Sequence, residues 1–559
     1  MRSTSNLLTN AFPLALMGVS LNLFWNCASW GTEVPPPSST QPTALLKDWQ
    51  THHAHLSRTQ GLSKLNNCSP TLSAAICLPL LLKGTGDQNL VQRNANTSVP
   101  PDNGAVISQI QVRFLNRRGL PIKGRTRPFI IAREFDLRSG DVYNQKLAQL
   151  GLRRVEDLDI VRRASITLKP TGKLNQVVMV VNVVERSSFS ASLSTDTRSP
   201  SALQGPFQPR TVSPGADIDS GFAIGGSAQL RRIGDNQNLA VRLTGGERVL
   251  NGELSFTNPW IVGDRQRTGY SVNVFNQRAV QSVFTEGENE VNLPNDREAW
   301  VHRLGGGVQF FRPLSTDLTA ALGLSYQQVS VRDDVFSSYL AKRDQRGNRL
   351  TFSDTGQDDL LTLNFRAALE RRNDKENPTS GSRLLVGIDQ SIPIGEANIV
   401  FTRLSANYLQ YIPFPLFGFT TGSRTLILNL QAGTMLGDVP GYEAFNLSAG
   451  LTRGFGDGGI GTGRSFVEAT VQYNFPVAIF SLFKQKVNLN GQLFVDYVSD
   501  LNSGGSVLGR PAIVRSKPGD GLGYGFGLNT NTPFGTATLE FAWSDRNENQ
   551  VIFTLGERF

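Results

Sequence analysis

GTATLEFAWS, residues 535–544, and VIFTLGERF, residues 551–559, decide how this chain folds. Successive side chains of a strand point to opposite faces, so Leu539, Phe541 and Trp543 share one face of the first segment. In the second, Val551, Phe553, Leu555 and Phe559 share a face that Glu557 interrupts, while Thr554, Gly556 and Arg558 share the other. Bulky apolar side chains outside and small or polar ones inside invert the plan of a soluble barrel and suit a barrel immersed in lipid. A β-sandwich also alternates, so one hairpin does not separate the two.

Repetition does. Working back from the C-terminus, segments such as RTLILNLQAG, VFTRLSANYLQYI, DLLTLNFRAALER, LTAALGLSYQQVS and GYSVNVFNQR alternate and are divided by turns rich in Gly, Asn and Asp. Each is about the 9–11 residues that a tilted strand needs to cross a bilayer. From Phe189 onward, roughly 23 residues per strand and loop accommodate sixteen strands, and fourteen or eighteen would also fit. Composition agrees: hydrophobic residues are 39% and charged residues 18%, with 55 Gly and 32 Phe. No run reaches the roughly 18 apolar residues of a mature membrane-spanning helix, which excludes a helical membrane bundle. The predicted fold is mainly β, a transmembrane antiparallel β-barrel of sixteen strands over 187–559, closed because open sheet edges cannot sit in lipid.

Residues 105–186 have a different texture, that of a small α/β domain. VISQIQVRF alternates as a strand, and a helix follows, with Asn144 and Gln145 at its start and Tyr143, Leu147 and Leu150 on one face. DIVRRASITLKP and NQVVMVVNVVE read as two more strands turning at Gly172, the second too apolar to meet water on both sides. The stretch carries 16 Lys and Arg against 7 Asp and Glu, which accounts for the whole chain's net charge of +9. Such concentration suits anionic headgroups or an acidic client, or forms a solvated basic face; no motif points to nucleic acid.

Residues 1–31 read as an export signal, with Arg2 before an apolar run from Ala11 to Trp25, and 32–104 as a polar linker of uncertain order. Cys27, Cys68 and Cys77 are too few for a disulfide scaffold and lack zinc spacing.

LTRGFGDGGIGTGRSFVEATVQYNFP, residues 451–476, together with LFVDYV around Asp496, SFTNPWIVGDR and the terminal LGERF, resembles the BamA/Toc-type outer-membrane β-barrel assembly and translocation family, in its cyanobacterial and chloroplast-like branch. The resemblance covers about 106–559. It implies that 105–186 is a POTRA-like domain facing the periplasm, and that the loop near 451–464 folds back into the lumen of a barrel of the bacterial-surface-antigen type. It assigns Arg453, Gly454 and Phe455 to the loop motif and Asp496 to the carboxylate that holds the arginine. The family's second acidic partner falls at Gln472, a neutral side chain, and Glu468 on the same strand face is a candidate to compensate. Phe553, Leu555, Gly556 and Phe559 match the C-terminal strand signal.

No nucleophile elbow, metalloprotease, phosphate-loop or dinucleotide motif is present, so neither catalytic residues nor a metal or cofactor is expected. The acidic pairs Asp333–Asp334 and Asp358–Asp359 read as hydrated turn residues. The function implied is folding and insertion of β-barrel proteins in the outer membrane of a Gram-negative-type, cyanobacterial cell. The partners are unfolded outer-membrane polypeptides, outer-membrane lipid, and periplasmic chaperones or accessory lipoproteins. The alternative is a polypeptide-translocating pore; a passive porin needs neither the basic domain nor a lumen loop.

Overall fold

The computed structural model describes residues 104–555, apart from 117, 159, 187, 195–222, 234–235, 265, 375–376, 448–451, 457, 483–484 and 533–534. The expected export signal, the linker up to residue 103, and Gly556 and Phe559 lie outside the described residues.

The α/β module runs β1 (Val106–Leu115), α1 (Pro128–Ala132), α2 (Gln145–Glu156), β2 (Val161–Pro170) and β3 (Gln176–Glu185). Its sheet order is β1-β3-β2, with β1 parallel and β2 antiparallel to β3. The apolar β3 is thus central, as a strand without alternation must be. Pro128 sits in the first turn of α1, where a missing N–H leaves no bond unmade. Asn144 caps α2 by accepting the Leu147 N–H at 3.0 Å. The helix face needs correction: Ala148, Gly151, Leu152 and Val155 are buried, whereas Leu147 is exposed. Tyr143 is buried but precedes the helix, so it does not set the phase. The phase follows the contact at Gly151, where an added Cβ would lie 2.2 Å from the Phe135 ring.

The second sheet has sixteen strands in sequence order, antiparallel throughout: β4 (Phe189–Ser194) to β14 (Thr425–Gly437), then β17 (Ser465–Leu482) to β21 (Asn549–Leu555). Two short strands, β15 (Phe445–Leu447) and β16 (Gly461–Gly463), form a separate ribbon in the segment between β14 and β17. Among the described residues the first ladder has six pairs, between β4 and β5 (Ala223–Ile233), and the last has seven, between β20 (Gly535–Ser544) and β21. Among the described residues no ladder joins β4 to β21. The outward face is apolar: Tyr524, Phe526 and Leu528 of β19 (Asp520–Thr532) and Leu539 and Trp543 of β20 are exposed, with Phe526 stacked on Phe541 at 5.4 Å. Phe553 lies on the same exposed side of β21, and Leu555 pairs with Ala537. Backbone pairing between neighbours leaves side chains to meet the lipid, as a membrane barrel requires.

The interior differs from a purely small and polar lining. At the mouth away from the α/β module, Val283, Phe284, Leu293, Leu350, Phe445 and Phe455 belong to one buried apolar cluster. These come largely from the connections between strands, whose burial depends on long-range packing. Asp358 is a second correction. It is buried, accepting the Tyr442 hydroxyl and the backbone N–H groups of Phe352 and Ser353, and is no hydrated turn residue.

Candidate functional site

The segment between β14 and β17 enters the barrel and is held at two places. The first centres on Arg453, which is fully buried together with Asp496. Asp496 lies on β18 (Gln485–Ser499) with Gln492 and Phe494 on the inner face, while Leu493, Val495 and Tyr497 face outward. Arg453 Nε donates to Asp496 Oδ2 at 2.6 Å and Nη2 to Oδ1 at 2.7 Å, a two-pronged pairing; the Arg453 backbone N–H also donates to Oδ2 at 3.1 Å. Nη1 donates to Gln472 Oε1 at 3.0 Å and to Glu540 Oε1 at 2.7 Å. The guanidinium carbon lies 3.3 Å from the centroid of the Phe494 ring, so its flat face is covered as well.

The sequence reading reached Arg453, Asp496 and Gln472, which the structure brings together. It missed Glu540. Glu468 does not fill that place: it accepts from Asn429 Nδ2 at 3.1 Å and lies 2.8 Å from the Thr470 hydroxyl, which is also 2.8 Å from Asp496. The second carboxylate comes instead from β20, where Glu540 also accepts from Gln492 Nε2 at 2.6 Å. A signal was present, because Glu540 has the opposite parity to Leu539, Phe541 and Trp543. A carboxylate turned into a barrel needs a cation or several hydrogen-bond donors beside it.

Close backbone approach explains the glycines. Gly454 has φ +98°, and a Cβ there would lie 2.6 Å from the Trp543 carbonyl carbon. On β19 a Cβ at Gly523 would fall 1.9 Å from the Arg453 carbonyl oxygen, and one at Gly521 would fall 2.7 Å from the Phe455 ring. The alternation GLGYGFG of β19 therefore gives aromatics to the lipid and space to the loop.

The second mooring reverses the charges. Glu443, in a short 3-10 turn over Gly441–Glu443, is buried between two arginines. Arg303 of β9 (Trp300–Pro313) donates from Nη1 to Glu443 Oε1 at 2.5 Å and from Nη2 to the Tyr442 carbonyl. Arg403 of β13 (Phe401–Pro413) donates to Glu443 Oε2 at 2.6 Å. Arg403 also lies 3.4 Å from Asp389, which pairs with Arg366 at 2.6 Å. The loop thus reaches from the β9–β13 wall to the β17–β20 wall. Among the described residues no cluster of His, Cys, Asp and Glu could hold a metal ion.

At the other mouth the turn between β7 (Val249–Asn258) and β8 (Gly269–Val280) meets the α/β module. Arg133 stacks 4.0 Å over Trp260, and Asp136 pairs with Arg154 at 2.9 Å and Arg267 at 3.1 Å. Trp260 Nε1 donates to the Asp264 carbonyl at 2.6 Å, which fixes the ring of the Asn-Pro-Trp motif. Burial pushes the Glu134 carboxyl up to about 7, against the opposing pull of Arg267, Arg133 and Arg154.

Comparison with known proteins agrees with this architecture. The Omp85 superfamily domain matches residues 232–559. Outer envelope protein 80, chloroplastic, of Oryza sativa subsp. japonica is 30% identical over 467 residues, covering 81% of this chain and 63% of that protein. Its counterpart in Arabidopsis thaliana is 28% identical over 457 residues, covering 81% of this chain and 57% of that protein. The chain spans about three fifths of the length of these curated relatives. BamA from Haemophilus ducreyi lacking POTRA domains 1-3 superposes with a TM-score of 0.50 at 15% identity, over 80% of this chain and 84% of that one, a likeness of fold. A barrel with an arginine-moored inner loop and a domain match over most of its length together place the chain in one family: it belongs to the Omp85 superfamily.

Proposed function

We propose that the protein folds and inserts β-barrel polypeptides into the outer membrane of a Gram-negative-type bacterium, without covalent chemistry. The observation that carries this reading is the open edge of the α/β module beside a lipid-facing barrel: among the described residues β2 is laddered to β3 alone. An edge strand offers N–H and C=O groups that an extended client segment can satisfy before it enters lipid. The loop moored on β17, β18 and β20 stiffens that wall of the barrel. The two edges of the α/β module differ. Both ends of β1 are covered, by Asp141 and Gly140 bonding Ile107 and by Ile122 bonding Phe114, whereas β2 has no strand on its far side among the described residues. A client segment would add to β2.

The test is protease-resistant insertion of an unfolded outer-membrane barrel into vesicles carrying the full-length protein, against empty vesicles and Arg453→Ala. Acceleration by the wild type alone supports insertion. Sustained conductance, or transfer of an unfolded chain into the vesicle lumen without faster insertion, would assign a translocation pore instead.

A further inference from the structure

The turn between β13 and β14 is unlike a water-facing loop. PFPLFGFTTGS, residues 413–423, contains no charged residue, and Arg424 closes it. Phe414, Leu416, Phe417 and Phe419 are all exposed, Leu416 by 62% and Phe419 by 75%. Strands alternate in direction from β4 onward, so this turn lies at the same mouth as the α/β module. It folds back over the outer face of β17. That strand shows its outward side at Val471, and Tyr473 and Phe475 follow at the same parity, whereas Gln472 faces the lumen. Phe417 meets Tyr473 at 5.0 Å and Phe475 at 4.7 Å between ring centroids, and Phe419 meets Phe475 at 5.9 Å. A loop in water would turn such rings inward or replace them; here a second layer of aromatics is laid over the first.

We propose that this turn is a foot seated in the lipid interface at the mouth beside the α/β module, and that it anchors the barrel on the side away from the β4–β21 seam. Two independent features point to lipid rather than to a protein partner. The patch continues the outward apolar band of the neighbouring strands, Leu430 on β14 and Val471 on β17, with no polar rim between. The loop's backbone is also tied down internally. The Phe419 N–H donates to the Pro476 carbonyl at 2.9 Å, the Phe417 N–H to the Tyr473 hydroxyl at 3.0 Å, and the Phe414 N–H to the Arg424 carbonyl at 3.0 Å; the Tyr473 hydroxyl donates to the Phe417 carbonyl at 2.7 Å. Irregular backbone survives near hydrocarbon only when its polar groups are satisfied within the protein. Arg424 closes the turn on itself, donating to the Thr420 carbonyl at 3.3 Å and the Gly422 carbonyl at 3.4 Å, and rings held at headgroup depth match the aromatic belt that fixes membrane proteins at an interface. Two adjacent strands extend past the turn: the β17–β18 ladder runs on to Leu482 and Gln485, whereas the β14–β17 ladder stops at Thr425–Asn474. The foot sits in the angle this creates, where Pro476 packs against Gly418 and Gly422.

The inference rests on the membrane-barrel architecture, and the experiment separates the two. In the full chain with Cys27, Cys68 and Cys77 changed to serine, an environment-sensitive fluorophore is attached at Phe419→Cys, at Leu416→Cys and, as a mid-strand reference, at Leu430→Cys. Each protein is folded into phosphatidylcholine–phosphatidylglycerol vesicles. Nitroxide lipids labelled near the headgroup should remove most of the emission at 416 and 419, and lipids labelled deep in the chain should do so at 430, with aqueous iodide ineffective at all three. Quenching at 430 by deep lipids, but at 416 and 419 by iodide alone, overturns the foot and leaves the barrel intact. Iodide quenching at all three positions overturns both. Shielding of 416 and 419 only after an unfolded barrel polypeptide is added would make the surface a protein-binding one, and also overturns the proposal.

Discussion

The two moorings of the inner loop use opposite charge plans. At Arg453 one cation carried by the loop meets two wall carboxylates, Asp496 and Glu540, and every nitrogen of its guanidinium is engaged. At Glu443 one anion carried by the loop meets two wall guanidiniums, Arg303 and Arg403, and the arginines keep other partners in Tyr442 and Asp389. The first is an enclosed site whose parts have few alternatives. The second is a node in a longer chain of charges that runs on to Arg366. Removing the central charge should therefore cost more at the first site. A buried ion is costly when its partners leave and adds little over a well-packed apolar group while they stay, so these sites fix the path of the loop more than they add stability.

The largest effect is expected from Arg453→Ala. It strands two buried carboxylates and should destabilise the folded barrel by roughly 3–5 kcal/mol. Urea unfolding in vesicles and loss of heat-modifiability would report it; wild-type values would remove the enclosed site from the argument. Arg453→Lys should recover little, since an ammonium cannot reproduce the two-pronged bond to Asp496. Glu443→Gln should cost less, about 1–3 kcal/mol, because the amide oxygen still accepts one of the two bonds and Arg403 keeps Asp389. If the two variants proved equal in the same assay, the contrast between enclosed site and extended node would fail.

A sharper test moves the second carboxylate. Glu540→Gln should weaken the Arg453 site, and Gln472→Glu added to it should restore most of the loss, because both positions already bond the same Nη1. A double variant no better than Glu540→Gln would show that the β20 location matters and not just the charge. The last test lies at the junction at the other mouth, at the buried Glu134. Glu134 has its folded pKa raised from 4.5 to about 7 by burial. Between those values the folded state holds a proton that the unfolded state has lost, so stability falls as pH rises from about 4.5 through 7 and is highest at the acid end of that window. Glu134→Gln should flatten this slope in a pH series of thermal midpoints; an unchanged slope would place the titrating group elsewhere.

Much of this was legible in the chain before any coordinates. The alternation of GTATLEFAWS, GYGFGLNTNTP and their neighbours determined strands with lipid outside, because a period of two is a local property of the backbone. The evenly apolar β3 read as a strand that cannot meet water on both sides, and the resemblance carried by the arginine–glycine–phenylalanine motif with Asp496 pointed to the moored loop. The phase of α2 was misread because the residue that sets it, Phe135, lies outside the helix and acts through Gly151. Asp358 was misread as a turn carboxylate because nothing local reveals that Tyr442, far along the chain, closes over it.

Tertiary structure alone decided the partners. Arg453 could have been answered by any inward acid, and the choice of Glu540 over Glu468 follows from which strands pass beside the loop. Glu443, Arg303 and Arg403 carry no motif, and they meet only because a sixteen-stranded sheet curls far enough to bring β9 and β13 within reach of a segment that follows β14. Alternation is written in adjacent residues and can be read from them. The pairing of charges across a lumen depends on strand number, register and the path of the loop, quantities that exist only once the whole sheet has formed.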